Sequence, residues 1–267
     1  MYLGAGNRLA ASQGCGAFKG RGLVPRWRSL GLDGTAVGAI AVAPSQPAAM
    51  YVGTPGDGVT VPGGVLRRLG RRNWFPVLVD PDPGFDVGAI AIDPANPRIV
   101  YAATTSQGVA KSVDRGGTWM DASAGLPRLD AMGLPNPAGA YIATFALAVD
   151  PHAPGTAYVS TLGHGSCCLD LGGGDVFTSH DGGTSWRPSA QGLLDLNVLA
   201  LVIDPVVAGV VYAGTTRGVM WSIDGGADWT PLGSGLEGAA VPSLATDGAG
   251  RVLYAATTGG VFALNVR

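Results

Sequence analysis

Cysteine, lysine and glutamate are nearly missing from this chain of 267 residues. There are 3 cysteines, Cys15, Cys167 and Cys168. An odd, sparse set with two vicinal members is neither a disulfide framework nor a zinc spacing. Neighbouring cysteines rarely pair, because a disulfide wants Cα atoms farther apart than neighbours allow. All three are expected to be free thiols. Lysine occurs only at Lys19 and Lys111, and glutamate only at Glu237. Charged residues make up 13%, and the 17 basic and 19 acidic side chains leave a net charge of -2. Such a balance excludes the basic footprint of a nucleic-acid binder. No apolar run is long enough to span a membrane, and Met1-Tyr2-Leu3-Gly4 does not open a signal peptide. Hydrophobic content of 46% excludes disorder.

Glycine is abundant, at 44 residues, and it punctuates short apolar runs. The segment from Gly88 to Trp119 shows the pattern. Ala89–Ile92, Ile99–Thr104 and Gly108–Ser112 are strand-like, and turn residues at Asp93-Pro94, Asn96-Pro97 and Ser112–Trp119 separate them. No helical period fits. The unit recurs from Phe145, Val198 and Val241, and in decayed form from Gly38. Tyr2, Tyr51, Tyr101, Tyr158, Tyr212 and Tyr254 keep its register. The repeats run over 38–75, 88–120, 145–187 and 198–230, with partial copies at 1–30 and 241–267. A four-strand repeat of this size predicts an all-β single domain over 1–267, a β-propeller of four-stranded antiparallel blades. Five to six blades are represented, and the first lacks its inner strand. The expectation is a fragment of a larger ring with an internal start at Met1. The alternative is a five-bladed ring whose last blade is closed by the Arg26–Leu30 strand.

Each strong repeat carries one turn: Ser112-x-Asp114-x-Gly116-x-x-Trp119, Ser179-x-Asp181-x-Gly183-x-x-Trp186 and Ser222-x-Asp224-x-Gly226-x-x-Trp229. Asp and Ser oxygens accept backbone N–H groups within such a turn. The Gly permits positive φ, and the Trp buries a large surface while its N–H needs a partner. The turn resembles the Asp-box, or BNR repeat, of the sialidase-like β-propeller superfamily. The whole chain looks most like the uncharacterised bacterial WD40/YVTN/BNR-like repeat proteins of that group. It is also similar to repeats in photosystem II assembly factors, sortilin-type receptors and xyloglucan-cleaving propellers. The resemblance implies a structural role for the box and, for many members, an extracytoplasmic site, secreted or periplasmic.

Long connections at Met120–Tyr141, Thr161–Asp175 and Thr54–Gly63 share one face of the expected blades, where binding would reside. A sialidase of the resembled type needs three convergent arginines, a Tyr nucleophile with a Glu, and an Asp acid. Arg98-Ile99 is followed by Val100 rather than the Pro of that family's early motif, and Glu237 stands alone. A xyloglucanase-like glycoside hydrolase needs two carboxylates flanking a cleft. The candidates are Asp170, Asp175 and Asp130, with Asp57 and Asp195 nearby on the same face. His164 adds polarity to the cluster with Asp170 and Asp175. With Cys167 and Cys168 it makes only a partial soft-metal set, so no metal site is assigned and no cofactor is implied. Trp221, where a solvent-facing residue is expected, is a stacking platform or packs under a loop. Arg67, Arg68, Arg71 and Arg72 form either an anion patch or a solvated sheet edge, the latter preferred. The balance leans away from an enzyme. The preferred function is a non-catalytic module presenting its loop-rich face to a protein, peptide or carbohydrate ligand. The alternative is a glycosyl hydrolase-like enzyme using an Asp pair.

Overall fold

The computed structural model describes residues 2–5, 16–20, 27–43, 49–56, 63–70, 73–80, 85–129, 136, 138–161, 175–193, 197–233 and 235–267. Its strands form separate antiparallel sheets. The first holds β1 (Tyr2–Ala5), β2 (Gly16–Lys19) and β3 (Arg28–Ser29). The second holds β4 (Ala39–Val42), β5 (Ala49–Thr54), β6 (Gly63–Leu69) and β7 (Phe75–Asp80). The third holds β8 (Val87–Ile92), β9 (Val100–Thr104), β10 (Val109–Ser112) and β11 (Met120–Asp121). A small hairpin follows, β12 (Arg128–Leu129) and β13 (Ala140–Tyr141). The next sheet is β14 (Thr144–Val149), β15 (Ala157–Thr161), β16 (Val176–Ser179) and β17 (Arg187–Pro188). It is followed by β18 (Val198–Ile203), β19 (Val211–Thr215), β20 (Gly218–Ser222) and β21 (Thr230–Pro231). The last sheet is β22 (Ser243–Thr246), β23 (Val252–Thr257) and β24 (Gly260–Asn265).

Every described pairing joins strands adjacent in sequence, so each sheet is open at both edges. No described pairing ties the first sheet to the last. The expected propeller of four-stranded blades is therefore corrected to an all-β chain of open, unclosed antiparallel sheets. The expected closure by the Arg26–Leu30 strand fails for a local reason. Phe18 and Lys19 take Ser29 and Arg28 as partners, which leaves β3 on its own sheet instead of on β24.

The chain divides into two compact units, Met1–Asp121 and Ala122–Arg267. Within the first, Tyr51, Phe85, Val87, Ile90, Val100 and Ala102 form a buried cluster between the second and third sheets. Within the second, Tyr158, Val176, Leu193, Leu201, Val211 and Trp229 do the same. Another cluster links Tyr212, Val219, Leu236, Val241, Leu244 and Leu253. The middle strands β5, β9, β15 and β19 are buried along their whole length. Their runs of Val, Ala and Tyr face neighbours on both sides, which explains apolar runs without alternation.

Two regularities recur from sheet to sheet, the first of them absent from the sequence pattern. The first strands β8, β14 and β18 each slip register near their start, between Val87 and Ala89, Thr144 and Leu147, and Val198 and Ala200. The turn after each first strand is organised by an aspartate. Asp93 Oδ1 accepts the N–H groups of Ala95 and Asn96, Asp204 Oδ1 those of Val206 and Val207, and Asp247 Oδ1 those of Arg251 and Val252. Asp150 Oδ1 accepts the N–H of His152. These carboxylates build turns, as their position after an apolar strand predicts.

Candidate functional site

The repeated Ser-x-Asp-x-Gly-x-x-Trp turns are the best-defined polar constellations. Ser112 Oγ donates to Asp114 Oδ1 at 2.8 Å and accepts the N–H of Gly116 at 2.7 Å. Asp114 also accepts the N–H of Thr118 at 2.8 Å. The same contacts recur at Ser179, Asp181, Gly183 and Ser185, and at Ser222, Asp224, Gly226 and Asp228. The Thr118 N–H, then the Ser112 hydroxyl, hold the Asp114 carboxyl down to about 2. Ser185 and Ser179 lower Asp181, and Ser222 and the Asp228 N–H lower Asp224. A carboxylate already saturated by donors in a turn is a poor proton donor to a ligand. The arrangement is structural chemistry.

The tryptophans carry these turns onto the connection that precedes them. Trp186 donates its backbone N–H to Ala124 O and its Nε1–H to Ala122 O. Trp229 does the same with Gln191 O and Ser189 O. In the decayed second repeat Trp74 Nε1–H still reaches Leu30 O at 2.9 Å. Trp119 differs, since its buried Nε1–H has no acceptor among the described residues. The register tyrosines complete the join. Tyr51 donates to Arg115 O, and Tyr158 to Gly225 O, each within the turn facing it. Burial, then the Asp150 and Asp224 carboxylates, push the Tyr158 phenol up to about 12.

Sequence reasoning missed one signal that these joins use. A Gly-Leu pair stands six and seven residues after each strong Trp: Gly125-Leu126, Gly192-Leu193 and Gly235-Leu236. Each Leu is buried, and Gly125 and Gly192 adopt φ of 90° and 91°.

The long Met120–Tyr141 connection holds an open groove of about 400 Å³, lined by Ser123, Leu126, Pro127, Arg128, Asn136 and Tyr141 among others. The β12–β13 hairpin forms one wall, a strand pair that the composition did not predict. Arg128 and Tyr141 are cross-strand partners, and the guanidinium lies 3.9 Å from the ring centroid. The turn is closed by Asn136, whose N–H donates to Arg128 O and whose Oδ1 accepts the Ala138 N–H. Asp130 lies outside the described residues.

On the Thr161–Asp175 connection the structure places Asp175 and leaves Asp170, His164, Cys167 and Cys168 outside the described residues, as are Asp57, Asp195 and Cys15. The Asp175 backbone is clamped. Its carbonyl accepts the Thr161 N–H at 2.8 Å, and its own N–H donates to Thr161 Oγ1 at 3.1 Å. The residue is exposed, yet protein atoms around the carboxyl desolvate it and push its pKa up. That is the direction opposite to the turn aspartates. Among the described residues no three His, Cys, Asp or Glu side chains gather into a metal-holding group.

The remaining candidates resolve into packing. Trp221 is half-buried and lies against the cluster of Tyr212, Leu236 and Leu253. Arg67 and Arg68 donate to the carbonyls of Arg115 and Leu30, and Arg71 and Arg72 lie outside the described residues. His152 meets Asp204 O through Nε2, and His180 meets Thr156 Oγ1 through Nδ1. Among the described residues no helix is long and apolar enough to cross a membrane.

No family model matches the chain, and no curated protein matches it. Solved structures do. An ancestral GH74 enzyme matches with 21% identity, covering 83% of this chain and 28% of that one, at a TM-score of 0.56. The GH74 enzyme of Niastella koreensis matches with 18% identity over 86% of this chain and 36% of that one, at 0.62. The GH74 xyloglucanase of Xanthomonas campestris matches with 18% identity over 100% of this chain and 50% of that one, at 0.58. The chain thus spans half or less of the structures it resembles. These likenesses correct the sialidase-like resemblance: the chain has an all-β fold like that of GH74 enzymes. The propeller, BNR and sialidase-like descriptors fall with it, and the likeness in fold to glycosyl hydrolases stands. The lean away from an enzyme is corrected too, because solved structures that share this fold include GH74 enzymes; the likeness to them is one of fold.

Proposed function

We propose that this chain belongs to the working part of a glycoside hydrolase that cleaves a β-linked polysaccharide of the xyloglucan class. The observation that carries the proposal is the fold likeness to GH74 enzymes across 83% to 100% of the chain. Asp175 is assigned the general acid. A glycosidase acid must hold its proton near neutral pH, and a raised carboxyl pKa is the property that allows it. Desolvation shifts Asp175 in that direction, whereas the turn aspartates are shifted the other way. The second carboxylate is assigned to the long connections of the sequence, with Asp130 and Asp170 as the candidates.

The test is release of reducing ends from xyloglucan by the purified protein, followed across pH. Parent protein is expected to cleave, with activity falling as pH rises and Asp175 loses its proton. Asp175→Asn is expected to lower kcat by about 100-fold or more, with an unchanged thermal midpoint. Asp130→Asn and Asp170→Asn, compared side by side, identify the partner. Absence of cleavage by the parent, or an Asp175→Asn variant as active as the parent, overturns the assignment.

A further inference from the structure

We infer that Thr161 is a positioning residue for Asp175: its hydroxyl and its backbone N–H together fix the direction in which the Asp175 side chain leaves the chain. The role rests on the reading of Asp175 as the general acid.

A threonine ends the second strand of five sheets, at Thr54, Thr104, Thr161, Thr215 and Thr257. Each hydroxyl donates to a carbonyl across the turn, that of Gly64, Gly108, Asp175, Gly218 or Gly260. A valine follows every one of these acceptors, so the five positions are equivalent. Four of them are held to glycine. Gly108, Gly218 and Gly260 stand at φ of 68°, 127° and 129°, in the left-handed region that side chains resist. At Gly64 a Cβ would lie 2.1 Å from Leu78 O. Asp175 ends the longest of the five connections without a left-handed φ. That relief lets a side chain stand where the sister sheets have none.

The clamp changes at the same place. Thr104 Oγ1 accepts the N–H of Gln107, Thr215 Oγ1 that of Arg217, and Thr257 Oγ1 that of Gly259. In each case the N–H belongs to the residue before the glycine. Thr161 Oγ1 instead accepts the N–H of Asp175 itself at 3.1 Å and donates to the carbonyl of that same residue at 3.3 Å. The Thr161 N–H donates to this carbonyl too, at 2.8 Å. One threonine, 1% exposed, thus holds both peptide groups that flank the Asp175 Cα. With both fixed, the Cα–Cβ bond has one direction, and only the side-chain rotamers remain. A tight turn fixes its own residues. The long connection before Asp175 lacks that constraint, so the threonine supplies it. Burial alone raises the Asp175 carboxyl, with no charge among the described residues acting on it. That burial lasts only while the side chain is held in place.

The test compares Thr161→Val with Thr215→Val, which loses the equivalent hydroxyl from a sister sheet. Two quantities are read in each: kcat and KM on xyloglucan, and the titration midpoint of the Asp175 carboxyl by carbon NMR, with Asp175→Asn to identify the resonance. Thr161→Val is expected to lower kcat about 10-fold or more with KM unchanged. Its Asp175 midpoint is expected to fall towards the ordinary value of about 3.9. Thr161→Ser keeps the hydroxyl and is expected to restore both quantities. Thr215→Val is expected to match the parent in both. Should Thr161→Val fail to fold, Thr161→Ala is read in its place. Should the parent cleave nothing, the reading of Asp175 as the acid falls, and the titration alone decides whether Thr161 places the carboxyl. An Asp175 midpoint that stays at the parent's value without the Thr161 hydroxyl overturns the inference. So does a Thr215→Val that lowers kcat or the midpoint as far as Thr161→Val.

Discussion

Five tryptophans, Trp27, Trp74, Trp119, Trp186 and Trp229, hold the same place in the repeats of this chain, and they do not make the same bonds. Trp186 is 3% exposed and its Nε1–H reaches Ala122 O, while Trp119 packs in a similar place with its Nε1–H unpartnered among the described residues. Phenylalanine in place of either removes comparable ring area, so the hydrogen bond is what separates the two sites. Trp186→Phe leaves the Ala122 carbonyl short of a donor, a loss of about 1–3 kcal/mol on top of the volume change. Trp119→Phe removes a buried donor that already lacked an acceptor. Urea unfolding is expected to show the larger loss for Trp186→Phe; equal losses would mean that the Nε1 bond contributes nothing. The sequence shows five such tryptophans in register, including Trp27 and Trp74 of the decayed repeats, but not which of them finds an acceptor. That depends on the connection each one meets, whose backbone path has no pattern of its own.

At the level of the element, the connections hold the sheets in register as much as the strands do. Gly192 sits at φ 91°, and a Cβ there would lie 2.1 Å from Trp229 O. Gly235 occupies the equivalent position at φ 73° with nothing within 4 Å. Gly235→Ala therefore bears only the left-handed backbone cost of about 1–2 kcal/mol, whereas Gly192→Ala must also push a turn off its neighbour. Thermal unfolding is expected to place Gly192→Ala well below Gly235→Ala, and a reversed order would remove the glycine from the join. The spacing behind this, a Gly-Leu pair six and seven residues after Trp, was present in the sequence and simply unread. Strand identity and turn chemistry were legible because they rest on local periodicity and on Asp, Ser and Gly at fixed offsets. The β12–β13 hairpin was not, since Arg128-Leu129 and Ala140-Tyr141 are too short to show alternation. For Trp221 the sequence left two readings open, a stacking platform and packing under a loop. It holds a position facing outward in a sister strand, and here it is half-buried against the cluster that includes Leu236.

For the molecule as a whole, repetition at a fixed period described the sheets well and their closure badly. Each sheet's pairing is settled by neighbours in sequence, whereas closure needs a contact between distant segments that no local pattern encodes. The candidate site suffers more, because its residues lie on long connections without periodicity. What can be summed over the chain is its response to acid. Donor-rich turns hold Asp114 at about 2 and lower Asp181, Asp224 and Asp247. Burial pushes Asp204 up, but the N–H groups of Val207 and Val206, with Arg267, outweigh it and leave that carboxyl lowered as well. A carboxylate lowered on folding contributes stability above its unfolded value, about 3.9, and loses it as pH falls through the folded value. Asp175 is raised and acts in the other direction, one group against five. The thermal midpoint is therefore expected to hold steady near neutrality and to fall between about pH 4 and pH 2. Replacing Asp114, Asp181 and Asp224 together by Asn should lower the midpoint at neutral pH and flatten that acid limb. Calorimetry across this range decides it: an acid limb unchanged in the triple variant would mean that the repeated turns are not what the acid attacks.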